Sequence, residues 1–277
     1  MKLWKFAAVA LMTMASTQLV QAKDWKTVTI TLEGTYVPWN STAADGSLTG
    51  FEPELAKYLC DHMNVECKLV ASDWSGMIPA LNAGKFDVIM DSLSVTEERK
   101  KIIDFSIPYA NSNVAFATLK ENDIADAAGT GSVLKLAPNP KDIPEIEALK
   151  AAFKGKTIGI HAATIYSKFI YDNFGSIATI REYKNNPERD LDLQSGRIDV
   201  IFDDVIYLAS VGESSNGEIA ITGPEIGGTI FGVGQALGIR QADTDLRDKF
   251  DDAIKAAIAD GTIKKLSLKW FKTDVTP

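Results

Sequence analysis

Nine consecutive residues, Asp91-Ser92-Leu93-Ser94-Val95-Thr96-Glu97-Glu98-Arg99, gather hydroxyls, carboxylates and a guanidinium at one point of the chain. They follow the apolar run Phe86 to Met90, which reads as a strand, and they open a helix. Free backbone donors at a helix start, beside a guanidinium, suit a carboxylate held by two parallel hydrogen bonds. A plainer reading covers part of this: Ser94 and Glu97 match a capping box, and Arg99 can simply be solvated. A second acidic strand end lies downstream, where Asp203 and Asp204 follow Val200-Ile201-Phe202. One of the two can cap the next helix. The other then faces Arg99 as a carboxylate suited to an ammonium group. Together they would grip a zwitterion, each desolvated charged hydrogen bond contributing about 1.5 to 3 kcal/mol.

These strand ends need elements to position them. Val28 to Leu32 is β-branched and stops at Glu33-Gly34, so it predicts a first strand. Pro53, Leu55, Ala56, Leu59 and Met63 predict a helix stopping at Asn64. A strand near Cys67 to Val70, a helix from about Ser75 to Ala83 and the strand ending at Met90 follow. Strands alternating with helices imply parallel α/β layers. An internal repeat extends this: Leu81-Asn-Ala-Gly84-Lys-Phe-Asp87-Val88-Ile89-Met-Asp91 is echoed by Leu193-Gln-Ser-Gly196-Arg-Ile-Asp199-Val200-Ile201-Phe-Asp203. In both, a helix ends, a glycine takes the position where positive φ is cheap, and a strand begins that finishes in aspartate. Val28 to Tyr36 corresponds likewise to Thr157 to Thr164. Gly followed by Asp-Val-Ile is common at any such junction, but two matched units in the same order predict two α/β lobes. Their facing strand ends then form a ligand cleft. Lys120 to Gly155, with Pro138, Pro140 and Pro144, predicts a long surface excursion carrying a helix from Ile146 to Phe153. Asp245 to Ala259 and Leu266 to Phe271 predict two C-terminal helices.

The 277 residues exceed one ordinary core and suit two domains. A formal net charge of -8 argues against nucleic acid as a partner. The start reads as a secretory signal over 1–22: Lys2 and Lys5, an apolar run from Phe6 to Val20, and Val20-Gln21-Ala22 as cleavage site. A signal anchor is the alternative, and no Cys follows for a lipid. Cys60 and Cys67, the only cysteines, then enter an oxidising compartment and predict a disulfide. A zinc site with His62 is the other reading, with no obvious fourth ligand.

From Val28 to Phe271 the chain resembles the periplasmic amino-acid and opine binding proteins, a family that includes the histidine and lysine-arginine-ornithine receptors. The matches are Gly50-Phe51-Glu52, the Cys60 and Cys67 spacing, Asp91 to Arg99, Gly196-Arg-Ile-Asp199 and Asp260-Gly261-Thr262. The resemblance implies a two-lobed periplasmic binding protein fold of type II. Lobe 1 would comprise 23–111 and 233–277, and lobe 2 would comprise 112–232 with an insertion at about 121–153. It places a hinge near Ala110 to Asn113 and near Phe231 to Gly234. It implies that Arg99 binds an α-carboxylate with Ser94 and Thr164, that Asp204 and Ser92 hold the α-amino group, and that Tyr36 and Trp74 flank the side chain.

Departures matter. Ala163-Thr164-Ile165 replaces a Gly-Thr-Thr or Gly-Thr-Ser turn, leaving a backbone N–H at Ile165 where relatives offer a hydroxyl. Asp91 replaces a serine, and with Glu33 and His161 it suggests a ligand with a basic or hydrogen-bonding tail. The insertion resembles the opine branch. The resemblance thus implies a periplasmic, monomeric binding component of an ABC importer. It would take an amino acid or derivative, arginine-, lysine-, ornithine- or histidine-like, to permease subunits in the inner membrane. An opine receptor is the alternative. A dehydratase on the same fold is the rival class, but no nucleophile elbow, phosphate loop, metal cluster or cofactor motif supports it. A sensor module would require a further domain.

Overall fold

The computed structural model describes residues 23–137 and 143–277; the expected signal segment, Pro138 and Pro140 lie outside them. Two sheets carry the chain. The first has five strands in the order Glu66–Ala71, Thr27–Leu32, Val88–Ile89, Gly238–Ile239, Asp104–Phe105. The second has six, in the order Thr179–Tyr183, Thr157–His161, Val200–Asp204, Val114–Leu119, Ile219–Gly227, Val133–Lys135. In each sheet the first three strands run parallel, and the strand arriving from the other half of the molecule runs antiparallel to them: Gly238–Ile239 in the first, Val114–Leu119 in the second.

Inner parallel strands must be buried on both faces, and Thr27–Leu32, Val88–Ile89, Thr157–His161 and Val200–Asp204 largely are, while the edge strands Glu66–Ala71 and Thr179–Tyr183 stay mostly exposed. Helices Phe51–Met63 and Thr244–Ala259 seal one face of the first sheet, packing Leu55, Leu59, Phe250 and Ile254 against Val28 and Ile30. Met77, Leu81, Phe86 and Ile103 seal the other. In the second sheet a cluster around Phe116, Phe153, Phe174 and Phe202 fills one side. The Cys60–Cys67 disulfide ties the end of the first helix to the following strand.

The repeat is structural, residue for residue. Gly84 and Gly196 sit at φ +71° and +66° and close the same turn, donating to Leu81 and Leu193 carbonyls at 3.0 Å in both copies. Asp87 accepts the Thr29 N–H at 3.0 Å, and Asp199 accepts the Thr157 N–H at 2.7 Å, so each copy pins the start of its own first strand. The 120–155 segment departs from the expected surface excursion. Val133–Lys135 pairs with Ile219–Gly227, and Ile146, Leu149 and Phe153 are buried in the second core. Scattered apolar residues there, Ile124, Leu136, Ile146, Leu149 and Phe153 among them, dock on the second core, which periodicity alone does not reveal. Among the described residues no helix is long and apolar enough to cross a membrane.

Candidate functional site

The strand ends of the two sheets face each other across a cleft with about 380 Å3 of empty space. From the first half it is lined by Glu33, Tyr36, Trp74, Asp91, Ser92, Ser94 and Arg99. From the second come His161, Thr164 and Ile165, joined by Tyr166 and Asp203. Ten residues expected from sequence therefore converge on this one place.

Arg99 dominates its electrostatics. Its Nη1 donates to the Ser94 carbonyl at 3.0 Å, and its guanidinium lies 5.3 Å from the Trp74 ring. Among the described residues no carboxylate lies within ion-pair distance of it, while burial lowers its pKa to about 10. A half-buried guanidinium that keeps its charge and most of its five donors unspent is a receptor for an anion. Opposite it starts the helix Ile165–Phe174. Its N-cap residue, Thr164, turns its hydroxyl back to the His161 carbonyl at 2.9 Å, so no side chain caps the first-turn N–H groups. These donors and Arg99 border one space, as a carboxylate requires.

The acids occupy the same cleft. Burial pushes the Glu33 carboxyl up to about 7, against the pull of the Thr35 hydroxyl. Asp91 is raised well above the ordinary carboxylate range by burial, then by the nearby Glu52 and Glu33 charges. Asp91 also accepts the Glu33 N–H at 3.0 Å and the Asn40 amide at 2.7 Å, so it shapes the turn that presents Glu33. His161 lies 3.9 Å from Glu33 across the cleft; burial lowers its pKa, which favours the neutral ring.

Two expectations are corrected. Ser94 does not cap: it bridges to Gln235, and Thr96 caps the short helix Glu97–Lys100 by accepting the Arg99 N–H at 3.3 Å. This isolated bridge keeps Ser94 extended beyond the end of the Val88–Ile89 strand, and Ser94 lines the cleft. Asp204 is the second. Rather than lining the cleft opposite Arg99, it caps the helix Val205–Ser214, accepting the Ile206 and Tyr207 N–H groups at 2.9 and 3.3 Å. Trp39 Nε1 donates to the same oxygen at 3.2 Å, and Ser112 to the other. Its neighbour Asp203 lines the cleft instead, but is held from behind by Arg189.

Sequence reasoning missed Tyr166, Arg189 and Glu52 as parts of the site; of the two aspartates it left open between helix cap and cleft, the family resemblance singled out Asp204, whereas Asp203 lines the cleft. The repeat held the signal for Asp203, which it pairs with Asp91. Glu52, fully buried, accepts the Ser92 N–H at 2.6 Å and an Asn40 amide hydrogen at 2.7 Å. It thereby holds Ser92 at φ +45°, a conformation costly for serine. No sequence signal marks that role.

Two α/β lobes meeting strand end to strand end over a polar cleft, with a guanidinium on one wall that has no acidic partner among the described residues, define a ligand-capturing protein. The profile of bacterial extracellular solute-binding proteins, family 3, matches residues 28–273. The octopine-binding periplasmic protein of Rhizobium meliloti is 38% identical, over 100% of both chains. The L-cystine-binding protein TcyJ of Escherichia coli (strain K12) is 33% identical, over 93% of this chain and 87% of its own. A periplasmic His/Glu/Gln/Arg/opine family-binding protein from Silicibacter pomeroyi, solved in complex with lysine, superposes with a TM-score of 0.73 at 28% identity, covering 90% of this chain and 99% of that one. The chain belongs to the bacterial extracellular solute-binding proteins, family 3.

Proposed function

We propose that this chain captures a basic amino acid, or a derivative of one, in the periplasm and delivers it as a monomer to the permease subunits of an ABC importer. The observation that carries the reading is Arg99: a guanidinium without an acidic partner among the described residues, sharing one cleft with Glu33 and Asp91. A carboxylate goes to Arg99, the Ser94 hydroxyl and the open helix start at Thr164 and Ile165. The ligand's cationic tail goes to Glu33 and Asp91, whose pKa values are raised because burial leaves their negative charge uncompensated. Tyr36 and Trp74 flank the tail. The moving bodies are 23–111 with 233–277 and 112–232, turning about Ala110 to Asn113 and Phe231 to Gly234. A signal segment over 1–22 accounts for the periplasmic address.

An opine is the second reading, supported by the octopine-binding relative that aligns over the whole of both chains. Binding without turnover is expected, so ligand recovered from the purified protein should be chemically unchanged. Calorimetry and thermal shift with arginine, lysine, ornithine, histidine and octopine test the proposal. Arg99→Ala should weaken every ligand that binds by at least about 30-fold, the effect of removing one partner of a desolvated, hydrogen-bonded charge pair. An undiminished response in that variant would remove the carboxylate assignment.

A further inference from the structure

We propose that Asn40 and Glu52, two fully buried residues outside the cleft lining, are positioning residues that hold Glu33 at a set reach from Arg99 and so determine which length of cationic tail the protein accepts. The inference rests on the assignment of the ligand's tail to Glu33 and refines it.

The first observation is where the two ligand-facing groups stand. Both lie beyond strands of the first sheet, Glu33 after Thr27–Leu32 and Arg99 after Val88–Ile89, and those strands pair directly. Their separation is therefore set by packing around one sheet and not by how closely the two halves of the molecule approach. Arg99 is tied at its own end by the Ser94 carbonyl.

The second is how Glu33 is held. Its N–H donates to Asp91 Oδ1 at 3.0 Å, and the next N–H, of Gly34, donates to Asn40 Oδ1 at 2.7 Å. These groups belong to the two planar peptide units on either side of the Glu33 Cα, so both of its backbone dihedrals are fixed, and with them the direction in which its side chain leaves. The Asn40 amide then gives its two hydrogens to Glu52 Oε2 and Asp91 Oδ1, each at 2.7 Å. Two carboxylates on one side and an N–H on the other leave only one orientation of that amide satisfied. The second oxygen of Glu52 accepts the Ser92 N–H at 2.6 Å and the Tyr109 hydroxyl. One buried carboxylate thus holds Ser92 directly and the Glu33 turn through Asn40.

The third is what this arrangement costs. Among the described residues no cation lies within ion-pair distance of Glu52, and burial raises its pKa against the hydrogen bonds from Tyr109, Ser92 and Asn40. Its place in the first turn of the helix Phe51–Met63 offsets only part of that penalty. An apolar side chain of similar volume would join helix to sheet without any such desolvation. What the carboxylate adds is direction: every bond it accepts ends on Tyr109 or on the residues that carry Ser92 and Glu33.

Calorimetry on the full chain with ornithine, lysine and arginine, whose cationic tails differ in length, tests the proposal. Wild type should separate the tightest from the weakest of the three by at least about tenfold, the lower value of one charged hydrogen bond made or missed. Glu52→Gln is nearly isosteric but sets an amide hydrogen against the Asn40 amide, which cuts the link and frees the turn. The spread should narrow by at least about threefold. Combining Glu52→Gln with Asn40→Asp puts a donor opposite an acceptor again at the same formal charge, and should return most of the spread. A smaller wild-type spread, a uniform loss that keeps the ratios, or a double variant no more selective than the single one overturns the positioning role, while the tail assignment stands. Binding of none of the three removes both. Crystals of the wild-type lysine and arginine complexes give a readout free of mutation. The Glu33 and Gly34 N–H bonds and the Glu33 carboxylate should keep one position in both, and a turn that moves with the ligand refutes the proposal.

Discussion

At the scale of single residues, Glu33 makes affinity depend on pH. Burial pushes its carboxyl up to about 7, favouring the neutral acid. A cationic tail requires the carboxylate, so below that pH binding must expel a proton. Affinity for arginine or octopine should therefore rise with pH, approaching about tenfold per unit well below 7 and levelling above it. Calorimetry from pH 5.5 to 8 checks this, and Glu33→Gln should flatten the curve; a flat wild-type profile would remove Glu33 from the ligand's tail. The same shift acts on stability with a definite sign. A carboxyl raised from 4.5 to about 7 keeps its proton longer in the folded state, so its contribution to ligand-free stability is lost as pH rises through that window. Asp204, also pushed up to about 7 by burial, adds in the same direction. Arg99 and Glu33 were legible in the sequence because strand ends in α/β lobes are where ligands meet the chain. Arg189 was not: it lies in the polar-looking helix Asn186–Gln194, and only the packing of the second lobe makes it buried.

At the scale of elements, the repeat makes a prediction with two opposite signs. Gly84 and Gly196 both lie in the left-handed region with open space where a Cβ would stand, so the whole effect of alanine there is backbone conformation. Left-handed φ costs an alanine about 1–2 kcal/mol, partly offset by about 0.4–1 kcal/mol from a less flexible unfolded chain. Gly84→Ala and Gly196→Ala should each destabilise by about 0.5–1 kcal/mol in urea unfolding. Ala163 presents the inverse: it is an alanine at φ +60° in the turn before Thr164, where the family resemblance leads one to expect glycine. Ala163→Gly should stabilise the ligand-free protein by a similar amount. Equal signs for all three would contradict the backbone account. Elements of this kind were readable because turn chemistry is local. The strand Val133–Lys135 was not, since three residues carry no periodicity and only pairing with Ile219–Gly227 defines them. The Ser94 cap failed for a related reason: its bridge to Gln235, a residue 141 positions away, overrides the local pattern.

At the scale of the whole molecule, the lobes touch through few polar contacts. Besides the Trp39–Asp204 bond and the Glu33–His161 pair, Tyr36 donates to Asp203, Trp74 to the Ala163 carbonyl at 3.3 Å, Ser210 to the Val37 carbonyl at 2.9 Å, and Lys184 pairs with Asp73 at 2.9 Å. The last is largely exposed and contributes little. Tyr36 is different, because its hydroxyl is buried and its partner is a charge, while its ring stacks on Tyr207 at 4.8 Å. That bond exists only when the lobes meet, so its free energy belongs to closure and not to the folding of either lobe. Tyr36→Phe keeps the stack and leaves Asp203 paired with Arg189, which limits the damage to the one hydrogen bond. Apparent affinity for any ligand of the closed form should then fall by about tenfold, since it scales with the closed fraction. Small-angle scattering separates this from a lost ligand contact. The ligand-free variant should have a larger radius of gyration than wild type, and both should converge to one value at saturating ligand. A variant with the wild-type radius when empty would show that the hydroxyl does not hold the lobes together.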